Sequence, residues 1–351
     1  MKDYLIVGQG VAGSFLSWEL LKRNKRVVIV DDHHHNSSSM ISAGIINPIT
    51  GKRFVATDDF DALFAHALQT YQELEEKFGQ TFFETKPILR IFQNEDERDE
   101  WKRKDAKNAA QKYVQSTNPP RTYSPLISDE QGSMLITQSG FCHTARLMNA
   151  FKEYFIREKV LTLTRFAYDD LKIEKTHVRY ANEDFQTVVF CEGYQSQFNP
   201  WFKWLPFNSA KGEILRGEMN GAGLPDAIIN KGKWCAPIGD AWTAGATYNW
   251  DTLNCEPTEA GKKEILDGLA NCVKREMRVI QHQAGVRPVM KDQKAVMGRH
   301  PEIGNLAIFN GLGSKGFLSA PYYAAHLVEF LDGKIEIAND VSIQRFCFSV
   351  L

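Results

Sequence analysis

The chain has 351 residues, more than one hydrophobic core usually serves, so two lobes are expected. Hydrophobic residues make up 43% and charged residues 24%, an ordinary soluble globular balance. The 42 basic and 43 acidic residues leave a formal net charge of −1, so no global field draws in nucleic acid or an anionic membrane, although a local basic patch stays possible.

The six cysteines are scattered, with no C-x-x-C pair, which fits reduced and mostly buried thiols in the cytosol. No apolar run approaches the roughly 18 residues of a membrane span, and no secretory leader precedes "MKDYLIVGQG". The expectation is a soluble, cytoplasmic protein without a membrane span. There is no internal repeat or low-complexity linker.

Residues 3 to 31 read as strand, turn, helix, strand. Tyr4 to Val7 is an apolar run suited to a strand buried on both faces. Gly8, Gly10 and Gly13 then form G-x-G-x-x-G: a tight turn, a bare backbone for a pyrophosphate, and a close helix–sheet contact. A helix from about Val11 to Lys22 directs its N-terminal amides at that anion. Val27 to Val30 is the second strand. Asp31, close to the ~20 positions expected after the first glycine, suits the acid that accepts ribose hydroxyls. An acid here argues against a 2′-phosphate and hence against NADP; it does not separate NAD from FAD.

The stretch "SSSMISAGIINPITGKR" (37–53) is small, polar and glycine-bearing, so it suits either close approach to a cofactor or an ordinary loop. His33, His34 and His35 lack a carboxylate or cysteine at ligand spacing and read as a solvated loop near the ribose, not a metal site. Residues 94–113 read as an exposed helix, acidic in its first half and basic in its second, with Asn94 and Glu97 as a capping pair. Residues 143–159 read as an amphipathic helix, and "TVVFCEG" (187–193) as a further parallel strand ending in glycine. Around Gly239-Asp240, "KWCAPIGDAWTAGATYNW" (233–250) carries a hairpin signal. Its Trp234, Trp242, Tyr248 and Trp250 suit a substrate pocket and core packing equally.

Near the end, Leu306 to Asn310 reads as a strand. Gly311, Gly313 and Gly316 make a second flexible turn. A helix is expected from about Ala320 to Asp332, with Ser319 as N-cap, Pro321 in the first turn and Gly333 as the stop. An NAD-dependent dehydrogenase leaves this second turn without a purpose.

The motifs "VGQGVAG", "AGIINP", "VVFCEG", "AGAT", "GVRPVMKD", "MGRHPE" and "GLGSKGFLSAP", in this order over nearly the whole chain, resemble the D-amino-acid oxidase-like FAD-dependent oxidoreductases. The "GVRP…GRHPE" part resembles glycine oxidase. The last motif resembles the FAD-containing domain of the bifunctional enzyme that matures tRNA wobble uridines.

The resemblance implies an α/β fold: a Rossmann-like FAD-binding lobe with a second, mainly antiparallel β-sheet substrate lobe. The FAD lobe is expected over residues 1–80, 140–205 and 285–351, and the substrate lobe over 81–139 and 206–284. FAD contacts are implied at Gly8, Gly10, Val11, Ala12, Gly13, Asp31, Asp32, Ala43, Gly44, Ile45 and Gly193. In the second turn they are implied at Gly311, Gly313, Ser314, Lys315, Gly316 and Phe317. A helix N-terminus and a cation at the flavin's pyrimidine edge favour its reduced, anionic form. Lys315 is either that cation or a solvent-facing lysine.

By the same resemblance, Arg287 clamps a substrate carboxylate, the alternative being a structural salt bridge; Tyr248, one of the hairpin aromatics, is expected in the substrate pocket. The flavin would accept a hydride from the carbon beside the amine of an amino acid or secondary amine. Gly285 stands where relatives with covalent flavin have cysteine, so FAD is expected to be non-covalent. A flavoenzyme acting on a tRNA wobble uridine and a non-catalytic FAD-binding protein are the alternatives. The near-neutral charge counts against tRNA.

Overall fold

The computed structural model describes residues 1–32, 37–104 and 108–347. His33, His34 and His35 lie outside the described residues. Seven α-helices occur among the described residues: α1 (Val11–Lys22), α2 (Ser38–Ile41), α3 (Phe60–Phe78), α4 (Glu95–Arg103), α5 (Thr144–Arg157), α6 (Glu259–Ala270) and α7 (Gly316–Leu331).

The first large sheet is built around parallel strands. Lys2–Val7 lies between Val27–Asp31 and Glu183–Phe190, with Leu161–Leu163 on the far side of Val27–Asp31. Leu306–Asn310 joins in parallel beside the C-terminal half of Glu183–Phe190. Leu5, Ile6, Val188 and Val189 have no exposed surface, as strands covered on both faces require. α1 is buried from Ala12 to Leu20, which explains why its apolar residues are not confined to one stripe. Phe15 meets Phe151 of α5 edge-on, with ring centroids 5.3 Å apart.

The second large sheet has eight strands. Their order is Arg278–Arg287, Ala210–Glu218, Ala241–Gly245, Lys233–Ile238, Ile228–Lys231, Ile88–Ile91, Ser133–Ile136 and Val114–Asn118. Every pairing is antiparallel except that of Ile228–Lys231 with Ile88–Ile91. Lys233–Ile238 and Ala241–Gly245 form the hairpin expected around Gly239, whose φ is +61°. The fold is therefore α/β, with a Rossmann-like sheet and a mainly antiparallel one.

Two local expectations are corrected. The 94–113 helix ends at Arg103. Its first turn is not wholly solvated: Glu97 is buried, accepts Gln93 N–H (2.8 Å) and pairs with Arg90 at 2.5 Å. Asn94 does cap it, accepting Glu97 N–H at 2.9 Å. The last helix starts at Gly316, not Ala320, and Ser319 is inside it, donating its hydroxyl to Lys315 O (3.1 Å). Pro321 therefore lies in the helix interior, where it cannot donate to the Phe317 carbonyl. The Tyr71 hydroxyl of α3 donates to that carbonyl instead, at 2.5 Å.

Candidate active site

Two continuous cavities run between the sheets. The outer groove, about 1230 Å³, is lined by the first glycine turn, Asp31, Asp32, Glu192, Gly193 and Gly313. The inner cleft, about 290 Å³, is lined by residues 41–47, the second glycine turn, Tyr248 and Arg287. Val11, Ser38, Ser39 and Gly313 line both.

The first turn is shaped by close backbone approach. Gly8 has φ +99°, and a Cβ there would fall 2.5 Å from Cys191 O. A Cβ on Gly13 would fall 1.9 Å from Gly8 O. Only the Ser39 hydroxyl lies within 4 Å of a Cβ built on Gly10, so this backbone is open to the groove. Gly10 caps α1 without a side-chain hydrogen bond, and the first helical amide, Val11 N–H, donates to Ser39 Oγ (2.9 Å). Asp31 Oδ2 accepts Gln9 N–H (2.8 Å), which ties the acid to the turn it follows.

Gly44 (φ +65°) brings the Ala43–Gly44–Ile45 turn against Cys142 O, which a Cβ would approach to 2.2 Å. Beside it, Ser42 Oγ is buried without a hydrogen-bond partner among the described residues. Gly193 has φ +57°, and its carbonyl accepts Asn310 Nδ2–H (2.8 Å), joining the ends of two parallel strands. In the second turn, Gly313–Lys315 is a single 3₁₀ turn leading straight into α7. The amides that open this helix therefore border the cleft.

Nearly all expected site residues line one of the two cavities: Gly8, Gly10, Val11, Ala12, Asp31, Asp32, Ala43, Gly44, Ile45, Gly193, Gly313, Ser314, Lys315, Gly316, Phe317, Tyr248 and Arg287. Gly13 and Gly311 do not line either cavity. Gly13 serves the turn from behind, and Gly311 (φ +72°) turns the chain where a Cβ would fall 2.6 Å from Met290 Cγ.

Arg287 is half-buried at the end of Arg278–Arg287. Nη1 donates to Thr247 O (3.3 Å), and the guanidinium lies 4.5 Å from the centre of the Tyr248 ring. No carboxylate pairs with it among the described residues, contrary to a structural salt bridge. Burial pushes its pKa down, partly offset by Tyr248. Lys315 is exposed towards the cleft, yet loss of water also lowers its ammonium pKa, with Asp58 acting in the opposite direction. Among the described residues lining the inner cleft, Arg287 and Lys315 are the only charged ones.

The four aromatics divide. Trp242 is 1% exposed and belongs to the core. Trp234 and Tyr248 line the cleft, and Trp250 stacks on Tyr248 at 6.0 Å outside it. Among the described residues no cysteine lines the inner cleft, and a Cβ on Gly285 would fall 2.5 Å from Ile41 Cδ1.

Three features were not singled out from the sequence. Glu192 in the groove wall accepts hydrogen bonds from Tyr168 (2.6 Å) and Asn199 (2.8 Å). Loss of water pushes its pKa up to about 7 despite both donors. Behind the cleft floor, Glu213 accepts from Thr258 N (2.9 Å) and Oγ1 (2.8 Å) and lies 2.7 Å from His282 Nε2. Lys211 Nζ donates to Asn254 Oδ1 (2.9 Å) and to Glu256 O. These two buried residues anchor the loop carrying Tyr248 and Cys255. Across the cleft, the Asn230 carboxamide makes no hydrogen bond among the described residues.

No group of three or more metal-ligating side chains occurs among the described residues. None of their helices is long and apolar enough to cross a membrane. The site fits FAD on two observations: an open Gly10 backbone at a helix N-terminus, and a buried Ser42 hydroxyl awaiting a partner beside the inner cleft.

Comparison with known proteins places this chain in a family. The tRNA 5-methylaminomethyl-2-thiouridine biosynthesis bifunctional protein MnmC of Marinobacter nauticus is 24% identical over 93% of this chain and 54% of its own length. The chain thus spans about half, or less, of the MnmC relatives it matches. The uncharacterized oxidoreductase YurR of Bacillus subtilis is 23% identical, over 95% of this chain and 96% of its own. Among solved structures, glycine oxidase from Bacillus cereus matches with TM-score 0.79 and 22% identity, covering 96% of each chain. That likeness supports the fold. The family model described as FAD dependent oxidoreductase (DAO) matches residues 3–330. The chain belongs to the FAD dependent oxidoreductase family, and its cofactor is FAD.

Proposed function

We propose that the protein oxidises a C–N bond of a small amino acid or secondary amine, with Arg287 holding the substrate carboxylate. One observation carries this reading: among the described residues the inner cleft is lined by two cations and no acid, and Arg287 has no anionic partner. A planar guanidinium left half-desolvated suits a bidentate carboxylate. Residues 1–80, 140–205 and 285–351 serve as the FAD lobe, and 81–139 with 206–284 as the substrate lobe.

FAD, when bound, supplies the hydride acceptor. The chain's own contribution is positional. Gly10 and α1 hold the pyrophosphate, and Asp31 takes the ribose hydroxyls. The α7 N-terminus and Lys315 would stabilise negative charge on the reduced flavin. Arg287 fixes one end of the substrate so that the carbon beside nitrogen meets the flavin, which is the larger part of the catalysis expected here. Gly285 leaves the flavin non-covalent. The six unpaired cysteines suit a cytoplasmic setting.

The test is anaerobic titration of the FAD-loaded protein with amino acids and secondary amines, followed by flavin absorbance. One of them bleaches the wild type, and Arg287→Ala needs at least about tenfold more of it with FAD content unchanged. Equal response in Arg287→Ala rules out the clamp.

A second reading rests on the similarity to MnmC, that of action on a modified uridine in tRNA. The net charge of −1 weighs against it. Salt-sensitive tRNA binding favours it, and no binding at low salt removes it.

A further inference from the structure

We infer that Trp234 and Asn230 form a distal subsite that selects substrates with a flat segment ending in a neutral, amide-like group. The inference rests on the carboxylate reading of Arg287 given above.

The sheet register fixes the arrangement. Ile214 pairs with Gly245, Gly245 with Trp234, and Trp234 with Asn230, so these four residues form one row across the cleft floor. The Arg287 guanidinium lies over Gly212, two residues from Ile214 in the same strand. From the Gly212 strand to the Asn230 strand is three strand spacings, about 14 Å before either side chain reaches inward. Glycine or its N-methyl derivative spans only a small part of that length.

Glycine at position 245 matters between the two ends. A Cβ there would fall 3.0 Å from Trp234 Cζ2 and 2.9 Å from Ile214 Cγ2. The indole therefore lies down over bare backbone and forms part of the cleft wall. It presents an apolar, planar surface midway between guanidinium and carboxamide, which suits a flat group.

At the far end Asn230 lines the cleft beside the apolar Ile228 and Ile88, and among the described residues no charged side chain lines that end; Arg90, next in the row, is paired with Glu97. The Asn47 oxygen is taken by Ile49 N–H (2.9 Å), whereas the Asn230 carboxamide makes no hydrogen bond among the described residues. A carboxamide offers a donor and an acceptor side by side. Its complement is an amide or lactam edge. A second carboxylate or an ammonium at that end would find no unpaired countercharge, since Arg90 and Glu97 are taken by each other.

The test separates binding from chemistry by using carboxylates that lack an oxidisable amine. Titration calorimetry on the FAD-loaded protein compares acetate, phenylacetate and para-carbamoylphenylacetate. Affinity is expected to rise in that order. Asn230→Ala should weaken only para-carbamoylphenylacetate, by about three- to tenfold, as loss of one or two neutral hydrogen bonds implies. Trp234→Ala should weaken both ring-bearing ligands and leave acetate unchanged. Unchanged FAD content and thermal midpoint show that each variant is folded. Equal binding of all three ligands, lost in Arg287→Ala, overturns the subsite and leaves the carboxylate clamp. An Asn230→Ala variant that binds para-carbamoylphenylacetate like wild type also overturns the subsite. No binding of any carboxylate overturns the clamp and the subsite together.

Discussion

The Arg287 guanidinium lies where a side chain on Gly212 would be: a Cβ built on Gly212 falls 2.0 Å from Nη2 and 2.2 Å from Cζ. The two residues belong to neighbouring antiparallel strands, and Tyr248 confines the same guanidinium from 4.5 Å away. The position of the cation therefore depends on an absent side chain. Gly212→Ala is expected to displace it. The carboxylate substrate should then bind at least about tenfold more weakly, the cost of a misaligned charge-assisted pair. FAD content should be unchanged, because Gly212 is not among the residues proposed to contact FAD. Flavin titration with substrate checks both.

Tyr71 closes the gap that Pro321 leaves in α7. Both partners of its hydrogen bond to Phe317 O are buried. Tyr71→Phe leaves a buried carbonyl without a donor and should cost about 1–3 kcal/mol of stability. The loss falls at the helix start that borders the flavin site, so FAD affinity should fall with it. Thermal unfolding with and without added FAD measures the two effects.

Glu192 gives a pH dependence with a defined sign. Its native pKa, about 7, is above the ordinary carboxylate value of 4.5. The folded chain therefore holds this proton more tightly than the unfolded chain. The associated stability is complete below about pH 4 and is lost as pH rises through about 7. Glu192→Gln removes that loss. Its stability relative to wild type should rise from pH 5 to pH 8, by up to about 3 kcal/mol. Parallel melting curves at the two pH values give the comparison; a constant difference contradicts the assignment.

Glu213 and Lys211 form a buried pair of charges behind the cleft floor, 3.7 Å apart and each under 6% exposed in its side chain. Glu213→Ala leaves Lys211 without its countercharge and releases Thr258. A destabilisation of about 3–5 kcal/mol is expected. Because the anchored loop carries Tyr248, substrate affinity should also fall in any folded fraction, read by the same flavin titration.

Local signals made much of this legible in advance. The G-x-G-x-x-G turn, α1 from Val11 to Lys22, Asp31 at the strand end and the Gly239 hairpin all follow from short-range geometry. The start of α7 did not, because Gly316 read as part of a flexible turn, Ser319 as a cap and Pro321 as a first-turn residue. The bond that fills the gap left by Pro321 comes from Tyr71, 246 positions before its acceptor Phe317. Gly311 resembles its neighbours in the turn, yet its lack of a side chain serves packing against Met290. Asn230 and Glu192 carry no local mark, since their significance comes from what the two sheets place opposite them.

The central claim is that a carboxylate-bearing amine reduces the bound flavin under the control of Arg287. The most direct measurement is anaerobic titration of FAD-loaded wild type and Arg287→Ala with the amine panel, read by flavin absorbance. Bleaching of wild type by one carboxylate-bearing amine, with Arg287→Ala requiring at least about tenfold more, is the predicted result. A flavin bleached equally well in both proteins, or bleached only by amines without a carboxylate, contradicts it.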